Sequence, residues 1–499
     1  MKEQQFMQLV KEIQLLQATL ALTGWDQQTL MPQTASDFRS EQETFLSQLV
    51  FERMTGTEMT QLLSEFKKAP QELSDLGKMT FGKVLEEYEK TSVLPAKDYE
   101  NYNRAVSKAY VSWMKAREQK DFTGFKDSLS EIIEFQRQFI TYWKKDEATN
   151  YDVLLNQYEP GMSVEILDDI FGKVRMGILS IVQLLKEHGT MPKTEFLHRP
   201  VAKEVQIAFA KQLASSLGFD FTRGRLDESV HPFMSGFNIN DARLTSRWKE
   251  DNFQDGVFGV LHEQGHGQYE QNVNAAFTYT PLGNSMSMGM HESQSLFQEI
   301  MIGSNENLWK VQYPIFQEMT SGTFDDIELT DFFNALNKSE SSLIRVEADK
   351  LTYILHIIIR YEIEKAIFND GVSLENLPQL WNDKYEEYLG VRPENDLVGI
   401  LQDIHWAGGA FGYFPSYALG FMYAAQMKHA MSQELNFDDA LATGDYQAIK
   451  HWLDTKVRVY GASKKPKDVL FEATGENLNP EYLLNELTLL YKKVYKIVV

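Results

Sequence analysis

The chain has 499 residues, a net charge of −22 and no cysteine. Hydrophobic residues make up 43% of it and aromatic residues 12%, which predicts a folded protein with a large core rather than a disordered chain. The acidic excess argues against nucleic acid and anionic membrane surfaces as partners, because both bind cationic proteins. The lack of cysteine excludes disulfide bonds, thiolate metal sites and a cysteine nucleophile.

The sequence shows neither a secretion signal nor a membrane-spanning segment. Its first residues, MKEQQFMQLVKEIQLLQ, carry charges where a signal peptide has an apolar run. No segment approaches the roughly 20 consecutive apolar residues that cross a bilayer. We therefore expect a cytoplasmic protein with no membrane partner.

Apolar residues at helical spacing dominate the sequence, beginning with a stripe that starts at Phe6. Similar stripes recur around residues 37–66, 70–92, 97–118, 122–144, 164–187 and 201–217. Residues 225–250 instead alternate apolar and polar positions between turn residues, which predicts a short β-hairpin. Helical patterns resume after about residue 255, and no linker-like segment interrupts them. We predict a mostly α protein with a small β element, in which residues 1–499 form a single unit.

The most informative motif is HExxH at residues 262–266, on a helix predicted over about 255–270. Its spacing places the imidazoles of His262 and His266 on one helix face, where both can bind one metal ion. Glu263 follows the first histidine, so its carboxylate can act as general base on a water beside the metal. A catalytic zinc site needs a third protein ligand and an open position. The alternative is that the two histidines lie on a solvated helix surface.

Two glycines weaken the helix that carries this motif. Gly265 lies between the histidines and Gly267 follows them. Each costs a helix interior about 1 kcal/mol relative to alanine. Such a cost is expected where a substrate backbone or a second helix must approach closely.

The third metal ligand has to come from another segment, and His291 and Glu292 lie on a later predicted helix. Glu292 shares a helix face with the apolar residue Leu296, one turn further on. We favour Glu292, because a carboxylate also offsets the charge of the metal. His291 is the alternative.

Two further segments carry polar residues in apolar surroundings. Arg345, Asp349, Thr352 and His356 fall on one face of a predicted helix that is otherwise apolar. Buried charges are costly unless they are paired, so this stripe is either an internal network or the wall of a cleft.

The second segment, residues 399–420, is rich in glycine and aromatic residues. It carries Asp403, His405, Tyr413 and Tyr417. It is either part of the active site or a packed turn between helices.

The sequence resembles the carboxypeptidase Taq family of bacterial thermostable metallocarboxypeptidases, whose signature blocks occur here in order. The blocks are HPF at 231–233, DxRxT at 241–245, HExxH at 262–266, HESQS at 291–295, IRxxAD at 344–349 and GxxQDxHW at 399–406. The early Trp25-Asp26 and Met31-Pro32 pairs also match. The resemblance covers essentially the whole chain, with the active-site blocks in 231–420.

The resemblance implies a two-lobed helical metallopeptidase fold with a deep central groove, similar to neurolysin and angiotensin-converting enzyme. It implies a metallocarboxypeptidase that hydrolyses the C-terminal peptide bond of peptides with broad specificity and with proline disfavoured at the C-terminus. Zinc, or cobalt, is the expected metal, and a homodimer is the expected assembly. By motif, His262, His266 and Glu292 are the metal ligands and Glu263 is the base.

One position departs from the wider pattern of zinc peptidases that use a glutamate as third ligand. Leu296 stands where several relatives have an aspartate that orients a metal-binding histidine. The hydrogen-bond partner of His262 is therefore left open among Asp241, Asp349 and Asp403.

A carboxypeptidase must also hold the free carboxylate of its substrate, and an arginine suits this role. Arg345, with Asp349 one turn away as its possible partner, is the first candidate and Arg243 the second. His231 of the HPF block is a further candidate for substrate binding. His405 or Tyr413 can donate a hydrogen bond to the developing oxyanion.

Two other functions compete with this interpretation. A helical oligopeptidase that cuts internal bonds would share the HExxH motif but would not need an arginine for the terminal carboxylate. A catalytically inactive peptide-binding scaffold would be expected to have lost metal ligands, and here all of them are present.

Overall fold

The computed structural model describes residues 2–497, which are mostly α-helical. The helices of this described part are α1 Lys2–Thr29, α2 Ser36–Thr55, α3 Thr57–Lys68, α4 Asp75–Ser92, α5 Ala96–Gln119, α6 Thr123–Trp143, α7 Asn150–Tyr158, α8 Val164–His188, α9 Lys203–Ser216, α10 Phe253–Gln271, α11 Met288–Leu296, α12 Glu306–Met319, α13 Leu329–Leu336, α14 Tyr353–Lys365, α15 Leu377–Leu389, α16 Pro415–Glu434, α17 Phe437–Thr443, α18 Tyr446–Lys456, α19 Pro466–Thr474 and α20 Glu481–Val494. None of these helices has the length and apolar character needed to cross a membrane.

A small three-stranded sheet lies between α9 and α10 in the sequence. Its strands are β1 Gly224–Glu228, β2 Phe233–Asn238 and β3 Asp241–Ser246, in the order β1-β3-β2. β2 and β3 form the predicted antiparallel hairpin, with an irregularity between Gly236 and Asn238. β1 pairs in parallel with β3 and completes the sheet, a pairing that the alternation of the sequence alone did not indicate.

The contacts divide the chain into two compact units. The first unit consists of Met1–Ser92, Lys193–Leu336 and Met427–Asn477. One of its apolar cores joins α1, α3 and α4, and another joins α9 and β3 to the middle of α10. The second core fixes the helix that carries the HExxH motif.

The second unit consists of Val93–Pro192, Asn337–Gln426 and Leu478–Val499. α14 is its most buried helix, with Ile354, Leu355, Ile357 and Ile359 all fully covered. The segment between Leu389 and Pro415 forms turns rather than helix or strand.

The predicted helical class with a small β element is confirmed. The single unit over residues 1–499 and the deep groove stay predictions. The helix predicted over 37–66 is divided at Gly56 into α2 and α3.

The long helix predicted to carry Arg345 and His356 on one face is wrong. Arg345–Glu347 forms one short 3₁₀ turn, and α14 begins only at Tyr353. The carboxylate of Asp349 accepts hydrogen bonds from the backbone N–H groups of Leu351 and Thr352 (2.8 and 3.1 Å). These local bonds compete with helical ones, so the helix starts after them.

Candidate active site

α10 carries the HExxH motif in the interior of the first unit. It packs against β2, β3, α9 and α11, so most of its side chains are buried. A Cβ added at Gly265 would lie 2.3 Å from the backbone oxygen of Gln294, and one at Gly267 would lie 2.6 Å from the ring of Phe219. The close approach of a second helix, expected from the glycines, is confirmed at Gly265. This approach brings α11 to the histidines.

Three side chains meet where α11 approaches α10. Ser287 caps α11 by accepting a hydrogen bond from the backbone N–H of Met290 (3.0 Å), which places Glu292 in the second turn of the helix. One carboxylate oxygen of Glu292 lies 3.3 Å from Nε2 of His266 and 3.9 Å from Nε2 of His262. The sequence-predicted ligands are therefore brought together.

This donor set fits a divalent cation. One ligand atom from each of His262, His266 and Glu292 lies within 4.8 Å of the other two. Two imidazole nitrogens and one carboxylate oxygen are the protein ligands of many catalytic zinc sites. Between residues 2 and 497, no other group of His, Asp or Glu side chains has this arrangement.

Glu299 is the hydrogen-bond partner of His262. Its carboxylate lies 2.8 Å from Nδ1 of His262, which leaves Nε2 for the metal. Glu299 belongs to a π-helical segment, Phe297–Ile302, that continues α11. Glu299 lies two turns after Glu292. One helix face therefore supplies both Glu292, a predicted metal ligand, and Glu299, the hydrogen-bond partner of His262.

None of the three aspartates considered for this role contacts His262. Asp241 accepts two hydrogen bonds from the guanidinium of Arg243, both 2.9 Å long. Asp349 binds the backbone before α14. Asp403 binds two arginines in the second unit. The prediction of an aspartate is wrong, because each of these carboxylates has partners of its own.

The surroundings of the ligands are strongly negative. Burial alone lowers the pKa of His262, but the charge of Glu292 and the hydrogen bond to Glu299 raise it to about 10. Burial raises the pKa of Glu292, but His262 and His266 lower it to about 2. Carboxylates that hold a proton on a buried imidazole favour a metal cation in the same place, so metal and protons compete for the site.

Glu263 lies beside the ligands on α10 and is only 8% exposed. Burial raises its pKa to about 7, and the charges of Glu292 and Glu299 act in the same direction. A carboxylate with a pKa near neutrality is suited to accept and release a proton. We refer to His262, His266, Glu292, Glu263 and Glu299 as the metal-ligand cluster.

His291, the alternative third ligand, has a different partner. Its Nε2 lies 3.0 Å from a carboxylate oxygen of Glu270 on α10. Its ring stacks on that of His266, with the centroids 4.4 Å apart. His291 thus packs against one ligand, which restricts the orientation of the His266 ring.

Arg345 lies in the second unit and binds Asp403, not Asp349 as predicted. Its Nε and Nη2 atoms are each 2.9 Å from one carboxylate oxygen of Asp403. The other oxygen accepts from Nε of Arg360 at 2.7 Å. Arg345 is only 7% exposed and Arg360 is fully buried, so two guanidinium groups in the interior share the carboxylate of Asp403. We call these three residues the arginine cluster.

His405 and Tyr413 follow Asp403 in the irregular segment before α16. Nε2 of His405 lies 3.2 Å from the hydroxyl of Tyr417, and its ring lies 5.5 Å from that of Tyr413. Burial lowers the pKa of His405 to about 4; the charge of Asp403 opposes this shift, and the charge of Arg345 adds to it. The imidazole is therefore neutral at pH 7 and can donate one hydrogen bond.

The remaining candidates lie in the sheet region of the first unit. Arg243 on β3 is held by Asp241, and its guanidinium lies 4.5 Å from the ring of Trp25. His231 is exposed in the loop between β1 and β2. Its backbone oxygen accepts a hydrogen bond from Ser229 (2.6 Å).

Sequence reasoning missed the roles of Glu299 and Arg360. Glu299 could have been found from its spacing, since it lies seven residues after Glu292 on the same face. Arg360 stands in the apolar run of α14, and a buried arginine implies a carboxylate partner. The sequence gives no local signal that this partner is Asp403.

Known proteins resemble this chain over nearly its whole length. Residues 5–491 match the family model described as Carboxypeptidase Taq (M32) metallopeptidase. The chain is 44% identical to Carboxypeptidase 1 of Bacillus subtilis (strain 168), over 99% of this chain and 98% of that protein. It is 34% identical to Thermostable carboxypeptidase 1 of Thermus thermophilus, with the same coverage of both chains.

A solved structure, that of the M32 carboxypeptidase from Deinococcus radiodurans R1, has a TM-score of 0.95 and 31% identity. The match covers 99% of this chain and 100% of that one. The match over nearly every residue, together with the HExxH helix and its glutamate, shows that the chain belongs to the carboxypeptidase Taq (M32) metallopeptidase family and is a metal-dependent carboxypeptidase.

Proposed function

We propose that this enzyme hydrolyses the C-terminal peptide bond of peptides with broad residue preference, and that proline at the C-terminus is disfavoured. The observation that carries the catalytic part is the approach of Glu292 to His262 and His266, with the buried Glu263 beside them. The preferences rest on the family resemblance. The proposed location is the cytoplasm.

Zn²⁺, with Co²⁺ as the alternative, is the proposed metal, held by His262, His266 and Glu292. When bound there, the ion supplies Lewis acidity toward the scissile carbonyl and toward water. Glu299 keeps the ring of His262 oriented through Nδ1.

Glu263 is the proposed general base. Its carboxylate takes a proton from the water that attacks the carbonyl carbon, and it passes this proton to the amine as the C–N bond breaks. Burial, which raises the pKa of Glu263 to about 7, supports both halves of this exchange. His405 or Tyr413 is proposed to donate a hydrogen bond to the oxyanion.

Arg345 is the proposed receptor for the terminal carboxylate of the peptide. Asp403 binds its Nε and Nη2 atoms, and the net positive charge of the arginine cluster favours an anionic ligand. Arg243 is the second candidate, and His231 is proposed to contact substrate. The buried carboxylate of Glu364 also interacts with Arg360, so the anionic ligand is proposed for Arg345.

We further propose that the enzyme is a homodimer. α2 contains a single buried residue, Met54, although it is 20 residues long. Phe38 and Phe45 lie on one of its faces and are 71% and 60% exposed, and α1 exposes Leu15 and Leu22 at the same seven-residue spacing. Neighbouring exposed apolar stripes on two packed helices are typical of a helix–helix interface.

The proposed reaction is tested with one peptide in two forms, one with a free C-terminus and one amidated. Mass spectrometry should show loss of the last residue from the free form and much slower cleavage of the amidated form. Rapid cleavage of both forms at internal bonds would instead establish an endopeptidase. A series of peptides that differ only in the last residue, proline included, measures the preference.

The assembly is tested by light scattering on the purified enzyme and on a Phe38→Asp/Phe45→Asp variant. The wild type should have twice the mass of the chain, and the variant should be monomeric at the same concentration. A monomeric wild type would contradict the homodimer.

A further inference from the structure

The segment that carries His405 and Tyr413 has no regular secondary structure to hold it in place. Within it, the backbone oxygen of Gly409 accepts a hydrogen bond from Gln136 (3.0 Å). Gly412 has φ +86°, and a Cβ there would lie 2.7 Å from the backbone of Leu154. The path of this segment is therefore narrowly defined.

Glu364, near the end of α14, is fully buried and binds this segment at two points. One carboxylate oxygen accepts a hydrogen bond from Nε1 of Trp406 (2.7 Å). The other accepts from the backbone N–H of Gly412 (2.9 Å) and from the hydroxyl of Tyr151 (2.6 Å). The residues from Trp406 to Gly412 thus form an arch whose two ends are tied to the two oxygens of one side chain.

The two ends of the arch adjoin the proposed oxyanion donors. His405 immediately precedes Trp406, and Tyr413 immediately follows Gly412. A shift at either end of the arch therefore moves one of these side chains directly.

Burying the carboxylate of Glu364 beneath the arch is energetically unfavourable. Burial raises the pKa of Glu364 to about 7, which reflects the unfavourable transfer of its charge from water. An apolar side chain would fill the same volume without that cost, but it could not accept three directed hydrogen bonds. The glutamate therefore holds the two ends of the arch at fixed positions.

We propose that Glu364 is a positioning residue, which fixes both ends of the 406–412 arch and thereby sets the positions of His405 and Tyr413. This proposal rests on the proposed roles of those two residues. Glu364 acts through them and contacts neither the substrate nor the metal ligands.

The test is Glu364→Gln in the full-length, metal-loaded enzyme, with Glu362→Gln as the matched control. A glutamine amide turns an N–H₂ group toward at least one of the N–H or O–H donors, so one end of the arch loses its anchor. Glu362 is on the same helix, but it binds Tyr388 (2.7 Å) and Arg175 instead. We expect kcat to fall about tenfold or more in Glu364→Gln, with KM changed by less than about threefold, while Glu362→Gln keeps wild-type values.

A double-mutant cycle separates positioning from general loss of structure. If Glu364 acts through His405, the His405→Ala change should cost much less kcat in the Glu364→Gln background than in the wild type. Effects that simply multiply for His405→Ala and also for Tyr413→Phe would overturn the proposal. So would a folded Glu364→Gln variant with kcat within twofold of wild type.

A milder variant covers the case in which Glu364→Gln does not fold. Tyr151→Phe removes one donor and leaves the other two, and it should lower kcat severalfold at unchanged metal content. Loss of thermal stability with kcat unchanged in this variant would show that Glu364 is only structural. Inactivity of the wild type and of Glu362→Gln toward free C-termini would instead refute the proposed function.

Discussion

The metal-ligand cluster and the arginine cluster are both buried and charged, but their charges have opposite signs. In the first, the carboxylates of Glu292 and Glu299 raise the pKa of the neighbouring His262 to about 10. Beside the second, burial lowers the pKa of His405 to about 4, although the charge of Asp403 raises it and those of Arg345 and Arg360 lower it. The two histidines thus differ because neighbouring carboxylates outweigh burial at His262, whereas burial prevails at His405.

The difference shows what each cluster needs for completion. Negative charge surrounding two imidazoles favours a cation. The arginine cluster, with its two guanidinium groups and one aspartate, favours an anion. A metallocarboxypeptidase uses one of each, a metal ion and the terminal carboxylate of its substrate. Substitutions in either cluster can therefore test its proposed role separately.

The largest effect is expected from loss of a metal ligand. His266→Ala removes one of three protein donors, so the purified variant should contain well under one metal ion per chain and show no activity. Metal analysis by plasma mass spectrometry checks this. A chelator should abolish wild-type activity, and Zn²⁺ or Co²⁺ should restore it. Wild-type metal content in His266→Ala would refute the ligand assignment, and His451→Ala, at an exposed histidine, is the control.

Removal of the base should leave the metal in place. Glu263→Gln keeps the shape of the side chain but cannot accept a proton, so kcat should fall by about 10²–10⁴-fold at wild-type metal content. Steady-state kinetics measures kcat, and metal analysis of the same sample measures the metal content. A variant that retains more than about a tenth of wild-type kcat would place the base elsewhere.

In the positively charged arginine cluster, Arg345→Ala should impair recognition of the free C-terminus. Loss of a charge-assisted pair costs about 2–5 kcal/mol, so kcat/KM on free-carboxylate peptides should fall strongly. The slow cleavage of amidated peptides should change much less. The ratio of kcat/KM for the free peptide to kcat/KM for the amidated peptide should therefore fall sharply. Arg345→Lys, which keeps the charge without the planar fork, should recover part of the loss.

If the folded, metal-loaded Arg345→Ala variant keeps the wild-type ratio of kcat/KM values, this arginine only pairs with Asp403. The same pair of substrates would then be applied to Arg243→Ala. Arg175→Ala, at a half-buried arginine of the second unit that pairs with Glu362, is the control for loss of a guanidinium group.

A smaller effect is expected from the partner of His262. Glu299→Gln keeps a hydrogen-bond acceptor but removes a negative charge, so metal affinity should fall about 10–100-fold. Competition with a fluorescent chelator measures this affinity. Asp241→Asn, which removes a carboxylate bound to Arg243, should leave metal affinity unchanged. Equal affinities in Glu299→Gln and the wild type would contradict the role of Glu299.

The two clusters also differ in how far the sequence predicted them. The proposed metal ligands were predicted from local features: His262 and His266 are one helical turn apart, and Glu292 shares a helix face with an apolar residue and carries a charge that offsets that of a metal. Glu299 was missed, although the same spacing rule leads to it. In this cluster, helix periodicity carries nearly all of the information.

The arginine cluster was predicted only in part. Arg345 was identified by its motif, but its partner was assigned from a helix that does not form, because Asp349 binds the backbone of Leu351 and Thr352. Asp403 lies 58 residues further along the chain, and only the tertiary fold brings it to Arg345. The parallel pairing of β1 with β3 was missed for the same reason, since it joins strands that are not adjacent in sequence.

The smallest expected effect concerns stability in acid and His405, which lies beside the arginine cluster. The folded-state pKa of His405, about 4, lies below the ordinary histidine pKa of 6.5, so the unfolded chain binds more protons between these two values. Its neutral imidazole therefore contributes stability that is fully present above pH 6.5 and is lost as the pH falls toward 4. His405→Gln has no such proton to bind and should lose less stability over that range, by about 1–3 kcal/mol. Urea unfolding of metal-free wild type and variant at pH 7, 5.5 and 4.5 measures the difference, with exposed His451→Gln as the control for removal of a histidine. Parallel stability curves for wild type and His405→Gln would show that His405 is not held neutral by burial and the arginine cluster.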